Sequence, residues 1–364
     1  MDSTHASIIA SAAELLGEPL TDPVDLGGSD RSIVLRARTS DGGAIVLKKY
    51  ADNDQARAVF TAESAGLAFT DFGPKLLAAD LERLLVVMSD LGVHASLADR
   101  LLDQDPRAAV EALLEWAGTY GRIAAVTAGR RPDLARLAAQ YGQGHEPASD
   151  GTWFAEYCAA FPTRLAELGI TAPAGLEDEL AGLRETLLSG SFAVFSPGDI
   201  CPDNNLLTPD GLRVLDFESA SFHSVFLDAA YTAMPFATCW CVFRLPPGLS
   251  AEIEQRYRSE VTAAFPALAD DSIWQPGMRA AVALWTVTMS AGMIKGVLAA
   301  DKPMHSTRRP ASTARQVLHH RWTLLRDMLE PTGELPAITS CMIALLSATA
   351  DWKPGPLPLY PALS

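Results

Sequence analysis

The stretch from Ser196 to Glu218 limits the possible fold more than any other part of this 364-residue chain. A loop with Asp199 and, five residues later, Asn204 leads to a turn at residues 208–211 and an apolar run that ends at Asp216. Phosphoryl transfer from a nucleotide needs a carboxylate that orients the attacking hydroxyl and accepts its proton. It also needs oxygen ligands that hold the magnesium ion on the phosphates. Asp199, Asn204 and Asp216 are the residue types that fit these roles.

These residues resemble the catalytic core of the aminoglycoside phosphotransferase and choline kinase families, which are relatives of the protein kinases. The resemblance implies that Asp199 is the catalytic base and that Asn204 and Asp216 bind Mg²⁺. It also implies an α+β, protein-kinase-like two-lobed fold, with a small N-lobe of antiparallel sheet plus one helix and a larger, mainly helical C-lobe. Pro197 stands where these families usually have a histidine, and Glu218 matches their small-molecule branches. The expected acceptor is therefore an alcohol group of a small molecule.

A glycine-rich segment lies near the start of the chain, before strand-like runs at residues 33–38 and 44–50. Adjacent glycines let a backbone approach phosphate groups closely. By resemblance this segment is the nucleotide-binding loop, with binding residues Gly27, Gly28 and Ser29 and the further polar residue Asp30. An ordinary hairpin turn is the alternative interpretation of the same segment.

Two adjacent lysines, Lys48 and Lys49, end the second of these strand-like runs. Because side chains alternate along a strand, only one of the two can point into a cleft. The resemblance favours Lys48 as the lysine that binds the nucleotide phosphates. It also implies that Glu63, on a helix expected over residues 54–69, pairs with this lysine.

An apolar run over residues 84–88 leads into Ser89, Asp90 and Leu91 and stops at Gly92. By resemblance this segment is the hinge, whose backbone groups bind the adenine ring. We therefore expect residues 1–92 to form the N-lobe, which binds the nucleotide. Residues 93–364 are expected to form the C-lobe, which carries the catalytic loop, the metal site and the helices that bind the acceptor.

The apolar spacing after residue 96 is mostly helical. It predicts helices over residues 108–126, 153–168 and 176–188, whereas the polar residues 129–149 are interpreted as a connection. Residues 280–294 form a membrane-like apolar run, but it is short for a span and contains Thr and Ser residues. We interpret this run as a buried helix.

The net charge of −15, from 44 acidic and 29 basic residues, bears on the partners. Nucleic acids and anionic membranes are polyanions, so the charge argues against both. It suits a cationic substrate, and it equally suits plain solubility. The chain also lacks the G-x-x-x-x-G-K-[ST], G-x-S-x-G and H-E-x-x-H motifs, which excludes P-loop kinases, α/β-hydrolases and zincins.

The chain has five cysteines, an odd number without a C-x-x-C pair. This pattern predicts free thiols in a reducing compartment rather than a disulfide framework or a zinc site. The N-terminus also lacks the basic start of a signal peptide. We therefore expect a cytoplasmic protein.

The expected cofactor is Mg²⁺, with ATP or GTP as the co-substrate. An aminoglycoside-like or other cationic antibiotic is the first expected acceptor, while a choline-like amino alcohol, a sugar and a nucleoside stay open. A nucleotide-binding pseudokinase with a regulatory role is an alternative of another class. A cationic acceptor would need carboxylates, and the C-terminal region offers five: Glu252, Glu254, Glu260, Asp270 and Asp271.

Overall fold

A computed structural model of the chain describes residues 3–29, 31–144, 147, 150–236 and 238–364. The N-terminal part contains five strands: β1 (Thr21–Ser29), β2 (Ser32–Arg38), β3 (Ala44–Tyr50), β4 (Leu76–Asp80) and β5 (Leu85–Ser89). They form one antiparallel sheet in the order β1-β2-β3-β5-β4. The middle strand, β3, is therefore hydrogen-bonded on both sides, which makes it a rigid support for the side chains that it presents.

One face of this sheet is covered by helix α1 (Ser3–Leu16). Ile8 and Ile9 of α1 pack with Leu35 of β2 and Leu47 of β3 in one buried cluster. Because successive side chains of a strand point to opposite faces, the burial of Leu47 under α1 directs Lys48 to the other face. That face looks toward the rest of the molecule.

Helix α2 (Asp54–Phe69) follows β3 and begins after Asn53, whose side chain accepts a hydrogen bond from the backbone N–H of Ala56. This cap satisfies one of the free N–H groups at the start of the helix. Most of α2 is buried, since it lies between the sheet and the larger lobe. At Gly66 a Cβ would lie 2.9 Å from the Cβ of Phe217, so the absence of a side chain lets α2 approach the second motif closely.

The larger lobe is mainly helical. Its helices are α3 (Leu97–Leu102), α4 (Pro106–Thr127), α5 (Arg131–Gly142), α6 (Asp150–Glu167), α7 (Leu176–Ser189), α8 (Val225–Ala233), α9 (Leu249–Val261), α10 (Asp271–Val297), α11 (Ala314–Leu329) and α12 (Pro336–Ala348). The expected helices over 108–126, 153–168 and 176–188 correspond to α4, α6 and α7. The fold class expected from the resemblance is confirmed: a small lobe with an antiparallel sheet, and a larger helical lobe.

The interpretation of residues 129–149 as a connection was wrong, because α5 occupies residues Arg131–Gly142. Leu134 and Ala138, about one helical turn apart, are buried, and α5 packs against α2. At Gly142 a Cβ would lie 2.6 Å from Cγ2 of Thr61 on α2. Most of α5 is polar, and its apolar stripe is too narrow to indicate a helix from the sequence alone. The stripe nevertheless suffices to bury one face of α5, because α2 supplies the surface against which it packs.

Four short strands flank the motif residues: β6 (Ala193–Ser196), β7 (Asn205–Thr208), β8 (Gly211–Val214) and β9 (Ser221–Ser224). β7 and β8 form an antiparallel hairpin, and β6 pairs with β9 in a separate two-stranded sheet. The turn expected at residues 208–211 therefore joins β7 to β8. The two sheets hold the β6–β7 loop and the β8–β9 segment close together.

Among the described residues, α10 is the helix whose length and composition would suit a membrane span. However, 67% of its most apolar window is buried inside the protein. Burial to this extent is typical of a core helix. It agrees with the buried helix expected over residues 280–294.

The expectation that the cysteines are free thiols was wrong for one pair. Cys201 and Cys239 form a disulfide, with Cα atoms 5.6 Å apart, although 38 residues separate them in the sequence. The first lies in the β6–β7 loop and the second in the segment after α8, and only the tertiary fold brings these segments together. Cys158, Cys241 and Cys341 are free, as expected, and all three are buried.

Candidate active site

Lys48 and Glu63 form a buried ion pair between the sheet and α2. Nζ of Lys48 lies 2.6 Å from Oε2 of Glu63, and the hydroxyl of Tyr50 donates a 2.8 Å hydrogen bond to the same oxygen. Lys49 donates instead to the backbone carbonyl of Tyr50. Of the two candidate lysines, Lys48 is thus the one that meets Glu63, and Tyr50 is a contributor that the sequence analysis missed.

Two further carboxylates approach the Lys48 ammonium from the other lobe. Nζ lies 3.3 Å from Oδ1 of Asp216 and 3.8 Å from Oε2 of Glu218. Burial acts to lower the pKa of Lys48, but the three surrounding carboxylates outweigh it and raise that pKa above its usual value. Burial raises the pKa of Glu63 to about 7, although Lys48 favours its charged form. The ammonium therefore links the small lobe to the β8–β9 segment.

Asp199 and Asn204 lie on one loop, between β6 and β7. The side-chain amide of Asn204 donates to the backbone carbonyl of Asp199 at 3.3 Å, and the backbone N–H of Cys201 donates to Oδ1 of Asp199 at 3.2 Å. Burial, reinforced by the negative charge of Asp216, raises the pKa of Asp199 to about 7. This loop therefore holds a carboxylate of raised basicity beside an amide.

Asn205, which the sequence analysis did not assign, fixes the shape of this loop from inside. Its amide nitrogen donates to the carbonyl oxygen of Cys201 at 2.6 Å and lies 3.4 Å from that of Ile200. Its oxygen accepts a 2.9 Å hydrogen bond from the hydroxyl of Tyr120 on α4. Asn205 is fully buried, so its partners satisfy a side chain that would otherwise be costly to bury.

A second buried network supports the start of the loop, where Pro197 replaces the usual histidine. The Ser196 hydroxyl donates to Oδ1 of Asp228 at 3.0 Å and accepts a hydrogen bond from the backbone N–H of Gly198 at 3.1 Å. Nε2 of His223 also lies 3.0 Å from Oδ1 of Asp228. An imidazole thus reaches this region from β9, and no local sequence signal indicated it.

The β1–β2 hairpin forms the glycine-rich segment. Gly28 has a φ of +139°, and a Cβ there would lie 2.1 Å from the carbonyl oxygen of Ser32. At the hairpin turn, directly before β2, Nη2 of Arg31 lies 2.7 Å from Oε1 of Glu218, so an ion pair crosses the cleft. Two of the predicted features, Asp30 and the side chain of Ser29, lie outside the described residues.

A cavity of about 680 Å³ lies between the hairpin, the hinge and the β8–β9 segment. It is lined by eight of the predicted site residues: Gly28, Lys48, Glu63, Ser89, Asp90, Leu91, Asn204 and Asp216. Asp199 and Gly27 are not in its lining; Asp199 lies on the loop of Asn204, and Gly27 precedes Gly28. Asp90 also pairs with Arg36 of β2 at 2.7 Å, which ties the hinge to the sheet above the cavity.

Next to the β6–β7 loop lies a cluster formed by Asp203, Trp240, His305 and Arg308. Oδ2 of Asp203 accepts hydrogen bonds from Nε1 of Trp240 at 3.0 Å and from Arg308 at 2.8 Å. The guanidinium of Arg308 lies 5.0 Å from the centre of the Trp240 ring, and His305 contacts the same ring. These residues bring the 238–243 segment and the loop before α11 to the catalytic loop.

The five C-terminal carboxylates are not in the lining of the cleft cavity. Glu254 accepts a hydrogen bond from Trp274, and Glu260 pairs with Arg256. Asp271 pairs with Arg258, and Asp270 caps α10. Glu252 is exposed. Four of the five thus have structural partners on or near α9 and α10.

The fold and the cleft together define a kinase-like enzyme with two lobes. The profile of the phosphotransferase enzyme family matches residues 25–269, which is more than half of the chain. The chain therefore belongs to the phosphotransferase enzyme family and is a phosphotransferase with an alcohol group of a small molecule as the acceptor. This confirms the family resemblance and the enzyme class expected from the sequence.

Solved structures agree on the fold. The GDP and kanamycin complex of APH(2")-IIia superposes with a TM-score of 0.51 at 12% identity, over 91% of this chain and 100% of that one. The choline kinase from Cryptosporidium parvum Iowa II superposes with a TM-score of 0.50 at 11% identity, over 90% of this chain and 92% of that one. At these identities the likeness supports the fold alone. A comparison with curated proteins found no match.

Proposed function

We propose that the protein transfers the γ-phosphoryl group of ATP or GTP, in a Mg²⁺-dependent reaction, to a hydroxyl of a small molecule. One observation carries the proposal: the Lys48 ammonium bridges Glu63 and Asp216 across the cleft. A cation fixed between the two lobes, above a loop with Asp199 and Asn204, is the arrangement that phosphoryl transfer requires.

The cleft residues supply the nucleotide site in this proposal. Lys48 binds the phosphates while Glu63 holds its ammonium in place, and the hairpin with Gly27, Gly28 and Ser29 covers the phosphates. The hinge residues Ser89, Asp90 and Leu91 border the base. The 680 Å³ cavity suits a ligand of nucleotide size, because small-molecule sites commonly have volumes of about 300–1,000 Å³.

Asn204 and Asp216 fit the proposed Mg²⁺. The amide nitrogen of Asn204 donates to Asp199, so the amide oxygen is the atom that is left for a ligand. Oδ1 of Asp216 receives Lys48 and the N–H of Glu218, so Oδ2 is left. Hard oxygen donors of this kind suit Mg²⁺. The ion would neutralise charge on the transferred phosphoryl group.

Asp199 is the proposed general base. Its carboxylate would accept the proton of the acceptor hydroxyl as that oxygen bonds to the γ-phosphorus and the bond to the β-phosphate oxygen breaks. A pKa of about 7 suits this role, because a base is most effective when its pKa lies near the working pH. The loop contacts of Asn205 and Ser196 would hold the carboxylate in place.

The test is acceptor-stimulated release of ADP or GDP with Mg²⁺, measured over a panel of aminoglycosides, amino alcohols, sugars and nucleosides. Asp199→Asn should lower turnover about 10²–10⁴-fold while leaving nucleotide affinity nearly unchanged. Undiminished turnover in this variant would remove Asp199 from its role. Nucleotide binding without release, for all acceptors of the panel, would favour the regulatory pseudokinase.

We propose an aminoglycoside-like or other cationic antibiotic as the acceptor, because the chain has a net negative charge that would attract a cation.

The pairing of Asp203 with Arg308 favours a second candidate, a neutral or anionic metabolite such as a sugar or nucleoside. Because Arg308 already compensates the charge of Asp203, a cationic acceptor would have to displace it. Arg308→Ala should lower KM for a cationic acceptor and raise KM for an acceptor that uses Arg308.

A further inference from the structure

Two cysteines and the proposed catalytic carboxylate meet at one point of the C-lobe. Cys201 follows Asp199 by two residues, and Cys239 comes from the segment after α8. One ligand atom from each of the three residues lies within 4.8 Å of the other two. Both cysteines are buried, at 7% and 2% exposure. The other cluster of this kind in the described residues, Glu63 with Asp216 and Glu218, belongs to the proposed nucleotide site and has no sulfur.

The chemistry of this group depends on the oxidation state of the two cysteines. In the disulfide the two sulfur atoms bond each other, and neither is available as a thiolate. Reduction creates two thiols beside a carboxylate, and two thiolates with one carboxylate are the donor set that Zn²⁺ accepts in a tetrahedral site. The disulfide and a bound metal ion are therefore mutually exclusive states of Cys201 and Cys239.

The geometry of the site allows this second state. With Zn–S bonds of about 2.3 Å, two thiolates on a tetrahedral ion lie about 3.8 Å apart. Cα atoms 5.6 Å apart reach that separation by rotation of the cysteine side chains. Oδ1 of Asp199 accepts the N–H of Cys201, so Oδ2 is available to the ion. The Thr238 hydroxyl lies 3.6 Å from Sγ of Cys201, which places an outer-shell hydrogen-bond partner beside the thiolate.

We propose that, once the Cys201–Cys239 disulfide is reduced, Asp199, Cys201 and Cys239 bind one thiophilic divalent cation such as Zn²⁺, and that this ion blocks phosphoryl transfer. A dithiol reductant supplies the two electrons and two protons and is itself oxidised to a disulfide; the cation then displaces the two thiol protons. The blocking step rests on the proposed function, because it requires Asp199 to be the base. The binding step does not.

Cobalt titration tests the binding step without any activity. Co²⁺ is added to the full-length chain after reduction and removal of the reductant without oxygen, and thiolate-to-cobalt charge-transfer absorbance is recorded. We expect one Co²⁺ per chain, displaced by one Zn²⁺. Cys239→Ser, Asp199→Asn and the oxidised protein should lose more affinity than the about 10–100-fold that removal of an outer-shell partner causes.

Cys341→Ser is the matched control, because Cys341 is a buried free thiol outside this cluster. It should keep the absorbance band and the stoichiometry. If reduced wild type binds Co²⁺ no more tightly than Cys239→Ser does, the site does not exist. The same holds if the band survives in the oxidised protein.

The blocking step is tested by adding stoichiometric Zn²⁺ to active enzyme in excess Mg²⁺, each protein being compared with its own zinc-free rate. Reduced wild type and Cys341→Ser should lose more than about 90% of their turnover at full occupancy, whereas the oxidised protein should keep its rate. Cobalt binding without zinc inhibition would overturn the blocking step and point to a fault in the role given to Asp199. A cobalt site in a protein inactive on all acceptors would support the binding step and count against the proposed function.

Discussion

Asp199 is held in a position where its negative charge is costly. Its folded pKa of about 7 lies above the ordinary value of 3.8, so the folded protein binds a proton more readily than the unfolded chain does. Stability is therefore lost as pH rises from about 4 to about 7, and the full cost applies above pH 7.

Asp199→Asn should accordingly stabilise the metal-free protein at pH 8, by about 1–3 kcal/mol in the free energy of unfolding. Near pH 5 the gain should be about a third as large, because the loss of stability that begins near pH 4 is then only partly complete. Chemical denaturation at the two pH values, with a chelator present, measures both differences. Asp203→Asn is a suitable comparison, because Asp203 has Arg308 as a partner. An equal gain at both pH values would contradict the prediction.

Burial makes the negative charge of Glu63 costly as well, and the nearby Lys48 ammonium offsets part of that cost. Lys48→Met removes the only cation that lies against this buried carboxylate in the described contacts. We expect a loss of about 3 kcal/mol at pH 8, typical of a broken buried pair. The loss should be smaller at pH 5.5, where Glu63 is protonated because its pKa is about 7. Lys49→Met, at a partly exposed side chain, should change stability little at either pH, as denaturation curves would show.

At the scale of elements, the β1–β2 hairpin offers a sharp test of the proposed phosphate loop. Gly28→Ala should raise the dissociation constant of the nucleotide at least about 10-fold, because a Cβ 2.1 Å from the Ser32 carbonyl forces the hairpin to change shape. Gly42→Ala is the matched control. Gly42 has a positive φ of +85° in the β2–β3 turn, and no atom lies within 4 Å of a Cβ built there.

Gly42→Ala should lose about 1–2 kcal/mol of stability from the left-handed backbone alone, and Gly28→Ala should lose more, because its Cβ also meets the Ser32 carbonyl oxygen. Only Gly28→Ala should bind a fluorescent nucleotide more weakly. Equal affinities in the two variants would mean that the hairpin does not contact the phosphates.

Elements with a strong local pattern could be predicted from the sequence, and those that depend on distant partners could not. The bounds of β3 and α2 agree with the expected residues 44–50 and 54–69, because the apolar run of β3 and the cap at Asn53 are local features of the chain. Helix α5 was missed because its burial depends on α2. The Cys201–Cys239 pair, like the His223–Asp228 contact, depends on two segments that meet only in the folded chain.

The same distinction applies to the site. Asp199, Asn204 and Asp216 were predicted because they lie within 18 residues of one another, in an order that resembles a known catalytic core. Tyr50 and Asn205 act from buried positions whose partners are Glu63 and Tyr120, and a sequence does not show which polar side chains become buried together.

At the scale of the whole molecule, a ligand bound between the lobes should stabilise both of them. A Mg²⁺–nucleotide complex at about 100 times its dissociation constant should add about 2.7 kcal/mol to the free energy of unfolding. Differential scanning fluorimetry would show this as a higher Tm for wild type and for Lys49→Met. Lys48→Met should show little shift at the same concentration. Equal shifts in both lysine variants would place the nucleotide elsewhere.

Three carboxylates surround the Lys48 ammonium, and their charge bears on the form in which a nucleotide can bind. Glu63, Asp216 and Glu218 surround Lys48, so the empty cleft repels a bare triphosphate, whose charge is also negative. In the proposed function a divalent cation would offset both repulsions at once, so that the metal complex rather than the free nucleotide would be the substrate. We therefore expect turnover to follow the concentration of the magnesium–nucleotide complex, and surplus uncomplexed nucleotide to be a poor competitor.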